Sequence, residues 1–163
     1  VTAPELAIRD VRIVDGTGAP AVEGDVGVAD GRIVAVGRVG AARRDVDGAG
    51  RALTPGFVDV HTHDDGALVR HPDLAFKTTQ GCTSLVVGNC GFSAAPAAAT
   101  GRRDPVLGLD VDLPDLDAFR GAVAAARPAA NAVALVGHNT VRTRVMGDER
   151  REPTAAELDE MRA

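Results

Sequence analysis

Aromatic residues are almost missing from this chain: among 163 residues there is no Trp, no Tyr and only four Phe. Its arginines are scattered among carboxylates, and the formal net charge is −5. A nucleic-acid partner is therefore not expected, because such binders gather their cations on one surface and often interleave them with rings. The apolar runs are short, far below the ~20 residues that a membrane helix needs, so no membrane span is expected either. Two cysteines, Cys82 and Cys90, are too few to staple a small secreted domain. The opening Val1-Thr2-Ala3-Pro4-Glu5 has neither a basic n-region nor an apolar h-region. These absences point to a cytoplasmic protein, where a cysteine is more often buried, reactive or metal-bound than bridged.

What is present falls into two parts, residues 1–55 and 56–163. In the first, Leu6–Ile8 and Val11–Val14 are short apolar runs, followed by the turn cluster Asp15-Gly16-Thr17-Gly18. Asp25–Ala29 and Arg32–Val36 flank Asp30-Gly31, a pair that favours the positive φ angles of a tight hairpin. A small β-domain is expected here. After Pro55-Gly56 the pattern changes. Phe57–Val60, Thr83–Val87 and Ala132–Val136 read as strands. Residues 65–80 read as helical with a break at Pro72, and Leu116–Ala126 as a helix started at Asp115 and closed by Arg127-Pro128. Strands alternating with helices imply right-handed crossovers and a parallel sheet. The segment between Val87 and Pro114 has no clear period, and residues 94–108 read as a mobile Ala/Gly/Pro-rich insertion. Thr154-Ala155-Ala156-Glu157 reads as a capping box. The helix it opens has about two turns before Ala163, so the chain is expected to continue beyond that residue.

Chemistry concentrates at the ends of the three strands. His61-Thr62-His63 follows the first, and alternation along a strand turns both imidazoles to one side. Two imidazoles in that relation can share a metal, although a bare pair also arises as surface histidines. Gly88-Asn89-Cys90-Gly91 ends the second strand. Cys90 is placed as a thiolate ligand for zinc or as a small buried hydrophobe, and Cys82 as packing. His138, after Val136-Gly137, is placed to touch substrate or to support the site. Arg142 and Arg144 can hold a carboxylate or sit as solvated charges at a helix end. His71, before Pro72, reads as a loop residue.

The string Pro55-Gly56-Phe57-Val58-Asp59-Val60-His61-Thr62-His63-Asp64-Asp65, with Gly88-Asn89-Cys90-Gly91, resembles the N-acyl-D-amino-acid deacylase (D-aminoacylase) branch of the amidohydrolase superfamily. Ala134-Leu135-Val136-Gly137-His138 with Met146-Gly147, and the turns Asp15–Gly18 and Asp30-Gly31, resemble the same branch. The resemblance implies an α/β fold: part of a (β/α)8 TIM barrel, about three strands of it, preceded by a small β-sandwich. It implies zinc bound by Cys90, with His61 and His63 lining a second metal position, and a small N-acyl amino acid as substrate. Many other superfamily members bridge two metals with a carbamylated lysine; Lys77, the only lysine here, lies in the first helical region instead. A complete barrel takes roughly 250 residues, so the later zinc histidines and the general base are expected beyond Ala163. The chain alone is then expected to be inactive and to expose an inner barrel wall that includes Val58, Val60, Leu85 and Val87. A dihydroorotase- or hydantoinase-like cyclic amidase shares Pro-Gly…His-x-His but does not need Gly-Asn-Cys-Gly. A non-catalytic metal-binding remnant fits the length.

Overall fold

Asp30 and Gly31 both take positive φ angles, 51° and 68°, and the turn they make joins β2 (Val22–Ala29) to β3 (Arg32–Gly37) as an antiparallel pair. The computed structural model that shows this describes residues 3–96 and 113–162. The chain divides into two compact units, Val1–Pro55 and Gly56–Ala163.

In the first unit β1 (Leu6–Ile13) runs antiparallel to β2, and β4 (Arg44–Asp47) and β5 (Ala52–Leu53) lie parallel to β1. The two short apolar runs expected near residues 6–14 are one strand, broken in register between Ile8 and Val11. Asp10 stands at that bulge with φ 50°, and its N–H donates to Asp25 at 3.1 Å. Arg9 crosses from β1 to both neighbouring strands, pairing with Asp25 at 3.0 Å and Asp45 at 2.7 Å. Val11, Ile13 and Val26 form the buried cluster. Among the described residues this unit is one mixed five-stranded sheet, ordered β3-β2-β1-β4 with β5 beside β1.

Among the described residues the second unit holds three parallel strands, β6 (Phe57–Asp59), β7 (Cys82–Val87) and β8 (Asn131–Ala134), in that order. Between β6 and β7 come α1 (Asp65–Arg70) and α2 (Ala75–Thr78), parted near Pro72 because proline cannot continue the hydrogen-bond ladder. Before β8 comes α3 (Leu116–Ala126), whose cap Asp115 accepts from the N–H of Ala118 at 2.8 Å. Two helices follow, α4 (His138–Met146) and α5 (Ala155–Arg162). At α5 the expected capping box is reciprocal: Glu157 N–H donates to the Thr154 hydroxyl at 3.3 Å, and Thr154 N–H to the Glu157 carboxylate at 2.7 Å.

Leu68, Leu74, Leu85, Val87 and Phe119 make the core between sheet and helices. This corrects the expected inner wall. Val58 and Val60 are exposed, but Leu85 and Val87 are fully buried on the helix side. In register Val58 stands beside Ser84, not Leu85, and a shift of one residue moves a whole set of side chains to the other face. Ala94 and Ala95 are also buried in this core, so the first residues of the expected insertion are packed. The rest of that reading, from residue 97 to 108, lies outside the described residues. No helix among the described residues is long and apolar enough to cross a membrane.

Candidate metal centre

β6 ends at Asp59, so His61-Thr62-His63 stands on the segment just past the strand rather than within it. Its backbone is nevertheless fixed. Thr62 N–H donates to the Val86 carbonyl at 3.3 Å, and His61 N–H donates to the Asp59 carboxylate at 3.2 Å. The two imidazoles meet edge to face with ring centres 6.0 Å apart.

β7 delivers the third side chain. After Val87 the chain enters a 3₁₀ turn, Asn89–Gly91, in which Cys90 takes φ 55°. Gly88 precedes it at φ 83°, and a Cβ on that residue would collide with the Leu135 carbonyl oxygen, so only glycine lets β7 turn here. Asn89 spends its side-chain amide on the carbonyls of Val86 (2.7 Å) and Thr62 (3.2 Å), which fastens the turn to the segment carrying the histidines. Cys90 Sγ lies 3.1 Å from His61 Nε2.

The ligand atoms of His61, His63 and Cys90 all lie within 4.8 Å of one another, with His61 and Cys90 exposed and His63 partly buried. His63 Nδ1 is buried and has no hydrogen-bond partner, which normally costs free energy. A thiol and two imidazoles form a donor set that suits zinc, and the orphaned nitrogen is a donor left free for such an ion. His138 is not part of this group. It opens α4 as an exposed residue, while its neighbour Asn139 donates to the Cys90 carbonyl at 3.3 Å. Cys82 is free and packs against the core. His71 ends α1. Arg142 donates to the carbonyls of Glu149 (3.1 Å) and Arg151 (2.6 Å) at the surface, which ties α4 to the segment after it.

Two charged groups support the site in ways the sequence did not assign to them. Lys77 Nζ lies 2.6 Å from Asp59 and 3.0 Å from Asp64. The ammonium of Lys77 holds the Asp59 carboxyl below its usual range, helped by the His61 N–H. Asp65 is 1% exposed. Burial pushes its carboxyl up, while its own N–H and those of Gly88 and Ala94 pull the other way. A single lysine in the chain was a visible signal for Lys77. For Asp65 the only signal was the Asp64-Asp65 pair, which does not say which of the two is buried.

Residues 44–163 match the amidohydrolase family. Among curated relatives, N-acyl-D-glutamate deacylase of Alcaligenes xylosoxydans xylosoxydans is 44% identical over 158 residues, which cover 94% of this chain and 32% of that protein. The solved structure of N-acyl-D-glutamate deacylase from Bordetella bronchiseptica, complexed with zinc and a phosphonate mimic of the tetrahedral intermediate, is similar with TM-score 0.89 and 46% identity. It matches over 98% of this chain and 35% of its own. A structure of D-aminoacylase, studied for one-metal activation and second-metal attenuation of its binuclear centre, matches with TM-score 0.88 and 42% identity, over 96% of this chain and 34% of its own. The chain therefore spans about a third of the length of the relatives it matches.

Proposed function

The chain belongs to the amidohydrolase family, and on that footing we propose that the protein it forms part of hydrolyses the amide bond of N-acyl-D-amino acids with zinc held at His61, His63 and Cys90. The observation that carries this reading is the convergence of one thiol and two imidazoles within 4.8 Å, with His63 Nδ1 buried and unpartnered. The deacylase relatives support the substrate class.

Zinc, when bound, supplies Lewis acidity that polarises an acyl carbonyl and acidifies water. The residues of this chain hold and orient. Cys90, turned outward by its left-handed backbone, presents the soft anionic donor. His61 stands against it, and His63 offers its free nitrogen from a partly buried position. His138 is the candidate substrate contact, because α4 starts where its neighbour Asn139 touches Cys90. The general base and the remaining ligands are assigned to chain beyond Ala163, since this chain spans only about a third of the length of the deacylase relatives. The three parallel strands are read as the start of a (β/α)8 barrel, and the five-stranded sheet as one layer of a sandwich. We place the protein in the cytoplasm, with both cysteines free.

The test uses the whole protein, assayed on N-acyl-D-glutamate and its L enantiomer before and after chelation. Hydrolysis of the D form that is lost with chelator and restored by zinc is expected. Cys90→Ala should lose tightly bound zinc and activity together, because no neutral side chain replaces a thiolate there. Full zinc content by elemental analysis in that variant would sink the ligand assignment.

A further inference from the structure

The turn that carries Cys90 is gripped at both ends by one carboxylate. Asp65 sits in the first turn of α1, 1% exposed. One of its oxygens accepts from the N–H of Gly88 at 3.3 Å, just before the turn. The other accepts from the N–H of Ala94 at 3.2 Å, just after it. Between these two anchors lie the five residues Asn89 to Ser93, which include the turn, with Cys90 in a left-handed conformation that a non-glycine residue seldom adopts unaided. Such a conformation persists only where the surroundings over-determine it.

We propose that Asp65 is a positioning residue: it sets Cys90 opposite His61 and His63 by clamping the backbone on either side, without touching any of the three donors. This inference rests on the metal reading of those donors. Asp65 follows His63 by two residues, so the segment that presents the histidines also carries the clamp for the cysteine. The two halves of the donor set are thereby locked to each other through one side chain. Each oxygen takes one of the two N–H groups. Asp65→Asn keeps one acceptor but turns an amide donor toward the other N–H; Asp65→Ala removes both.

The experiment uses the whole protein loaded with Co²⁺ in place of zinc. The thiolate-to-cobalt charge-transfer absorption reports whether Cys90 is bound, and chelator competition reports affinity. For Asp65→Asn we expect a weaker band and an affinity about 10- to 100-fold lower, the range found when partners around metal ligands are removed; Asp65→Ala should lose more. Leu68→Ala, which opens the core without touching the clamp, should melt lower yet keep the band. A full-strength band with unchanged affinity in both Asp65 variants overturns the proposal. Absence of a thiolate band in the parent protein, or its persistence in Cys90→Ala, overturns the metal reading instead. Should an Asp65 variant not fold, amide hydrogen exchange in the parent protein decides. Strong protection of Gly88 and Ala94 is expected, and exchange at open-loop rates overturns the clamp.

Discussion

At Lys77 one ammonium serves two carboxylates. Asp59 and Asp64 flank the His-x-His segment, and the side chains of all three are at most a quarter exposed. The Lys77 ammonium also donates to the Thr62 hydroxyl at 3.3 Å, and that hydroxyl donates to Asp64. Lys77→Met removes the only cation these carboxylates are seen to share. It should cost about 2 kcal/mol, since hydrogen bonds to charged groups contribute roughly 1.5–3 kcal/mol and two mostly buried carboxylates lose their cation. Urea unfolding of the whole protein checks this, and an unchanged midpoint would remove Lys77 from the account. The grouping of the proposed donors was legible in the sequence. His61 and His63 stand one step apart after an apolar strand, and Cys90 stands between glycines after the next. Lys77 and Asp65 were not, because their partners are separated in sequence by 13 to 29 residues and only the fold brings them together.

Elements with their own local signals were read closely. Asp115 and Arg127 bound α3 as expected, and the Asp30-Gly31 turn joins the strands it was expected to join. α4 was read only as a helix end at Arg142 and Arg144, because His138–Met146 is polar and β-branched with no apolar stripe. The faces of β7 were misassigned because Leu85-Val86-Val87 is uniformly apolar, as strands covered on both sides often are, so no alternation marks which residues face the helices. The start of α5 gives a prediction at this scale. Arg151 holds Glu157 at 2.5 Å and Thr154 caps it, so its carboxyl falls from 4.5 to about 2. A depressed carboxyl stabilises the fold above its unfolded value and loses that contribution as pH falls through the folded one. The difference in melting temperature between the parent and Glu157→Gln should therefore be constant above pH 4.5 and shrink as pH falls toward about 2. A difference that instead grows on acidification would contradict the pairing.

Across the whole molecule, the three-stranded sheet of the second unit has one face packed on helices and one carrying exposed Val58 and Val133, with Val60 exposed just past β6. Among the described residues β6 and β8 each lack a partner on one side. Open strand edges beside an apolar face favour pairing with other chains. Residues 1–163 expressed alone should therefore self-associate in light scattering and show no amide hydrolysis above background. A monodisperse, active preparation would show that the site is completed within these residues.

The donor set has one more property. His61, His63 and Cys90 all belong to a single strand–helix–strand unit, with Cys90 29 positions after His61, and the clamp and the lysine lie within the same stretch. Closing so short a span costs little chain entropy compared with joining distant parts of the sequence. On the ribosome, everything from His61 to Ala94 has been made before α3 and β8 exist. The thiol and imidazoles that we propose as ligands are thus made together and early, and on that proposal metal capture need not await the rest of the chain.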